Sequence, residues 1–115
     1  MKQGLYQANY YGPFGKGTAA FRVRNSEIVG VDVAGAEYRG VITTDEETGK
    51  ECFTLVMRAP DGAFLVTDGV PRSSNEFIPL QLEFEESDLD KPLALNLPHG
   101  QVTVTIHFDG DIVAN

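Results

Sequence analysis

The sequence has no tryptophan, a single cysteine, only two histidines, and half as many basic as acidic residues. With Cys52 alone, an internal disulfide and a cysteine-based zinc site are both excluded. A membrane helix needs roughly 20 consecutive apolar residues, and no stretch comes close. The start Met1-Lys2-Gln3-Gly4-Leu5-Tyr6 lacks the apolar run of a secretory leader, so a cytoplasmic location is expected. The nine bases against 17 acids give a net charge of −8 and a pI near 4.5. Phosphate backbones are held by clustered Lys and Arg, so direct nucleic-acid binding is not expected.

The shortage of bases is uneven. Residues 1–58 balance, whereas residues 59–115 hold only Arg72 and Lys91 against ten acids and carry the whole net charge. Such a field keeps a small domain soluble, and it would also favour a basic protein partner. At 115 residues and 42% hydrophobic, the chain can bury one core without staples, and one domain over 1–115 is expected.

What is abundant is strand patterning. Val102, Val104, Ile106 and Phe108 alternate with Gln101, Thr103, Thr105 and His107, and Ile78, Leu80, Leu82 and Phe84 alternate with polar neighbours. Further strands are expected at about 4–11, 17–25, 27–34, 36–44, 51–59 and 63–67. Turn residues separate them, among them Gly12-Pro13-Phe14-Gly15, Asn25-Ser26, Ala34-Gly35, Thr48-Gly49 and Asp61-Gly62. Pro79 cannot donate to a ladder, which places its strand at an edge or a bulge. Residues 68–76 and 86–100 read as loops, with at most one short helical turn near 86–91 stopped by Pro92. The pattern predicts an all-β fold, a small antiparallel up-and-down barrel of about eight strands, since closure removes exposed edges.

Two segments, Ile28–Ala34 and Phe53–Met57, are apolar or small on both faces. A half-wet antiparallel strand should alternate, so a second apolar surface is implied, either the seam of a homodimer or a patch beneath loops.

Motifs for chemistry are thin. Gly12, Gly15 and Gly17 are followed by strand alternation and not by the helix a phosphate loop needs, so they read as a hairpin whose glycines allow close packing. Asp109-Gly110-Asp111 lacks the later ligands of a calcium loop. His99 and His107 specify no site, Ser73 and Ser74 have no nucleophile elbow, and Cys52 has no motif. Neither an enzyme, a metal nor a cofactor is indicated. Asp45-Glu46-Glu47 reads as the polar tip of a hairpin ending in Thr48-Gly49.

Gly4-Leu5-Tyr6, Gly17 entering a strand, Glu27-Ile28-Val29-Gly30-Val31-Asp32-Val33 and Tyr38-Arg39-Gly40-Val41-Ile42 follow one another in a fixed order, with Thr44-Asp45-Glu46-Glu47 directly after. Residues 4–47 thereby resemble the GrlR-like family, negative regulators of type III secretion gene expression. The resemblance implies a lipocalin-like barrel that dimerises. It further implies a non-enzymatic role in which an acidic run sequesters a helix-turn-helix activator, the run falling here on Thr44, Asp45, Glu46 and Glu47. Thr44 stands where the family's acidic run begins, a departure from its pattern.

Two functions therefore stand side by side: a regulator that binds a basic transcription activator, and a carrier that holds a small apolar molecule in the barrel lumen. Phe21, Phe53, Phe64, Phe84 and Phe108 are bulky enough to fill a narrow barrel, which favours a closed core and the first reading.

Overall fold

Alternating apolar residues along the chain become eight antiparallel strands in one sheet. They are β1 (Gly4–Gly12), β2 (Gly15–Arg24), β3 (Glu27–Asp32), β4 (Glu37–Thr44), β5 (Glu51–Ala59), β6 (Glu76–Phe84), β7 (Leu93–Leu97) and β8 (Gly100–Gly110). This is a computed structural model, and it describes residues 1–60, 76–97 and 100–111. The strand order is β6-β5-β4-β3-β2-β1-β8-β7, a meander that wraps round until β8 pairs with β1. The result is an up-and-down barrel, nearly closed, in which β6 and β7 approach each other without a shared ladder. Among the described residues no helix is long and apolar enough to cross a membrane.

The Asn25-Ser26 turn acts as expected. Asn25 and Ser26 both take positive φ (51° and 63°) between the paired ends Arg24 and Glu27, the geometry of a tight hairpin whose twist matches its strands. Pro79 lies on β6, an end strand of the ladder, where its missing N–H costs no hydrogen bond. A single 3₁₀ turn at Glu86–Asp88 falls inside the expected 86–91 window.

One expectation fails: residues 86–100 are not all loop. Leu93–Leu97 forms β7 and pairs with β8 from Leu93↔Val104 to Leu97↔Gly100. Its three leucines are half-buried while Ala94 and Asn96 face solvent, a short alternation flanked by Pro92 and not interrupted by it. The predicted strand at 63–67, the Asp61-Gly62 hairpin, Phe64, Ser73, Ser74 and His99 lie outside the described residues.

Burial follows the period of two. Tyr6, Ala8, Val23, Ile28, Phe53, Phe84, Val104 and Ile106 form one buried cluster, on which Met1 and Leu89 pack. Ala19, Ala36, Tyr38, Met57, Ile78 and Leu80 form a second. Gly30 lets the Phe21 ring cross its strand, since a Cβ there would stand 2.5 Å from Phe21 Cδ1. Outside, Val31, Val41, Val56 and Phe77 are exposed, so the second apolar surface expected from β3 and β5 lies on the outer face of the barrel. Arg58 crosses that face to hold Glu37, with Nη2 at 2.9 Å and Nε at 3.2 Å from its carboxylate oxygens.

Candidate functional site: an apolar lumen with one polar cluster

Small side chains decide what the barrel contains. Ala8, Gly17, Ala19, Ala36 and Ala59 occupy inward positions, and Phe21 and Phe53 line the space between them without filling it. Phe53 and Phe84 meet at 5.4 Å between ring centres inside the first cluster, away from the β1–β2 and β3–β4 turns. A lumen of about 340 Å³ remains, lined mainly by apolar side chains. Among the described residues, Phe21, Phe53, Phe84 and Phe108 leave this space open. Phe14 and Val33 line the lumen and are 64% and 80% exposed, which marks where it reaches the surface.

The lumen has one concentrated polar feature. Asp32, the last residue of β3, faces inward, and its Oδ2 accepts hydrogen bonds from the hydroxyls of Tyr10 and Tyr38, each at 3.0 Å. Its Oδ1 accepts the backbone N–H of Ala34 and of Ala36, each at 2.9 Å, so the carboxylate also shapes the β3–β4 turn. Local sequence explains the arrangement. Tyr10 continues the inward series Tyr6-Ala8-Tyr10 on β1, and its ring lies over Gly17, the residue directly opposite on β2. A side chain at Gly17 would collide with the Tyr10 hydroxyl. Tyr38 sits beside Gly30 on β4 and packs its ring against Phe21 at 5.2 Å.

Burial, and then the charge of Asp32, push both phenols far above the ordinary tyrosine range. They stay protonated and donate to Asp32 at every physiological pH. No cation stands within ion-pair distance of Asp32 among the described residues. The two cations of the lining are elsewhere: Lys16 on the exposed β1–β2 hairpin, and the Met1 amino group, which is paired with Glu51.

The residues singled out from sequence lie apart from this lumen. Thr44, Asp45, Glu46 and Glu47 are all exposed at the β4–β5 hairpin, at the opposite end of the barrel. Their roles differ. Asp45 turns back on its own hairpin, accepting from the N–H of Glu47 at 2.8 Å and of Thr48 at 3.3 Å, while Asp45 N–H donates to Lys50 O at 2.8 Å. Thr48 likewise accepts from the Lys50 N–H at 3.2 Å. Glu46 and Glu47 are left as the projecting carboxylates. His107 lies on the outer face of β8, as its alternation predicted, and its Nδ1 contacts Asp90 beyond the 3₁₀ turn. Cys52 is a half-buried free thiol on β5. Among the described residues, no three His, Cys, Asp or Glu side chains are grouped to hold a metal ion.

Tyr10, Asp32 and Tyr38 were not picked out from sequence. The available signal was parity: Asp32 shares its face with Ile28 and Gly30, which puts a carboxylate on the core side of a strand. No family model, curated protein or solved structure matches the chain.

Proposed function

We propose that the protein is a non-enzymatic binding barrel whose lumen takes a small, mainly apolar molecule. The observation that carries this reading is the 340 Å³ apolar lumen with a single polar cluster, which falls within the usual size and character of ligand pockets. Alanine at 8, 19, 36 and 59, where larger apolar residues would occupy the lumen, fits space kept for a ligand.

Native mass spectrometry of freshly purified protein, followed by denaturation of the same sample, tests the reading together with binding of the neutral fluorophore N-phenylnaphthylamine. We expect a released apolar adduct or saturable, one-per-barrel dye binding. Ala8 and Ala19 face each other across β1 and β2, so Ala8→Val with Ala19→Val should narrow the lumen and weaken dye binding while keeping the strands. No adduct and no dye binding in the wild type would remove the reading.

A second reading rests on a different place, the β4–β5 hairpin, where Glu46 and Glu47 are exposed and Thr44–Glu47 coincide with the acidic run of the GrlR-like resemblance. Under it the barrel is a homodimer that sequesters a basic helix-turn-helix activator, complementary charge governing encounter and specificity more than raw affinity. The two readings are compatible, since the mouth of the lumen at Phe14 and Val33 and the β4–β5 hairpin lie at opposite ends of the strands.

A further inference from the structure

Hydrogen-bond accounting at Asp32 gives the chemistry of the molecule that the lumen would take, an inference that rests on the ligand-binding reading above. An ionised carboxylate only accepts, offering about four lone-pair sites. All four are used here: two by the Tyr10 and Tyr38 hydroxyls at 3.0 Å, two by the Ala34 and Ala36 amides at 2.9 Å. Each phenol has one proton, and each spends it on Asp32. What the cluster has left is the acceptor capacity of two phenol oxygens, beside a carboxylate with no cationic partner among the described residues. It has no donor left to give.

We propose that the lumen selects molecules whose one polar end is a hydrogen-bond donor, an alkylammonium or a primary alcohol, and discriminates against alkyl carboxylates, with Tyr10 and Tyr38 as the acceptors and Asp32 as the charge behind them. A carboxylate head placed there would meet two phenol acceptor oxygens and the like charge of Asp32. Its alternative is Lys16 at the rim, which would leave the head outside and the tail short of the inner end.

The experiment is displacement of N-phenylnaphthylamine at neutral pH by three probes of equal chain length: n-octylamine, n-octanol and octanoate. Amine and alcohol should each displace the dye at concentrations about tenfold below octanoate, the size expected of one charge-assisted or buried hydrogen bond. Asp32→Asn turns an acceptor into a donor toward the phenols, and should close most of that gap. Tyr10→Phe removes one acceptor while keeping the ring over Gly17, and should weaken amine and alcohol but not octanoate. Denaturation curves for both variants establish that they are folded. Octanoate competing as well as the amine in the wild type, or a gap untouched in both variants, overturns the donor-head assignment while leaving a lumen site intact. Failure of the dye and all three probes to bind overturns the lumen reading itself, and the assignment with it.

Discussion

Asp32 shows how much one inward carboxylate can set. It ties two strands and a turn together, with Tyr10 on β1, Tyr38 on β4 and the Ala34 and Ala36 amides of the connecting turn all converging on it. The cluster makes stability depend on pH in a definite direction. In the unfolded chain both phenols ionise near the ordinary value of about 10, whereas in the barrel burial and then Asp32 hold them protonated well beyond it. The stabilisation is therefore complete below about pH 10 and is lost as the pH rises further, because the unfolded state sheds protons that the fold retains. Urea midpoints between about pH 8 and 11 should fall steeply for the wild type and less steeply for Tyr38→Phe. Equal slopes would mean that the fall belongs to other groups. The cluster was legible in sequence only through parity. Asp32 sits in a run, Ile28–Val33, that is otherwise apolar or glycine, so it reads as the polar end of a strand. Its inward direction follows only once β3 is known to begin its inward series at Ile28.

Elements were legible where local chemistry and alternation agreed. Residues 27–44 declare two strands and a turn, because Asn25-Ser26 and Ala34-Gly35 punctuate a clear apolar pattern. β7 failed that test for a physical reason: five residues give only three inward positions, and the neighbouring Pro92 and Pro98 are the strongest loop signals in the chain. The β4–β5 hairpin was legible as a hairpin but not in the division of labour among its acids. Asp45 is a turn former, so Asp45→Ala should loosen the tip, costing on the order of 1 kcal/mol by analogy with lost side-chain caps. Hydrogen exchange at the Glu47 and Thr48 amides would show it as faster exchange. Glu46→Lys with Glu47→Lys, by contrast, should leave the melting temperature unchanged. In titrations with a helix-turn-helix activator that binds the wild type, the pair should weaken affinity and its salt dependence. Affinity that falls with Asp45→Ala and stays constant with the double reversal would place the contact in the shape of the hairpin and not in its charge.

Closure of the meander leaves a barrel with two kinds of apolar surface, and the whole molecule has to account for both. The inner one is the lumen. The outer one spans neighbouring strands in register: Val31 opposite Glu37, then Arg58, then Phe77, with Val29, Arg39, Val56 and Pro79 in the adjoining row. The Glu37–Arg58 pair runs across the middle of the first row, while Val31 and Phe77 flank it at 52% and 67% exposure. An exposed ion pair in such a place contributes little by itself, yet it fixes two long side chains against the sheet and leaves the apolar residues proud of them. Isologous pairing of this face with a second copy would cover Val31, Val56 and Phe77 at once, and single scattered apolar residues would not need it. Native mass spectrometry at low micromolar concentration is thus expected to show a dimer. Val31→Glu with Phe77→Glu should shift it to monomer and, because both side chains point away from the lumen, leave N-phenylnaphthylamine binding as it was. A wild-type monomer that keeps the dye would assign the outer valines to surface scatter and leave the lumen as the apolar surface, among the described residues, that has a function to explain.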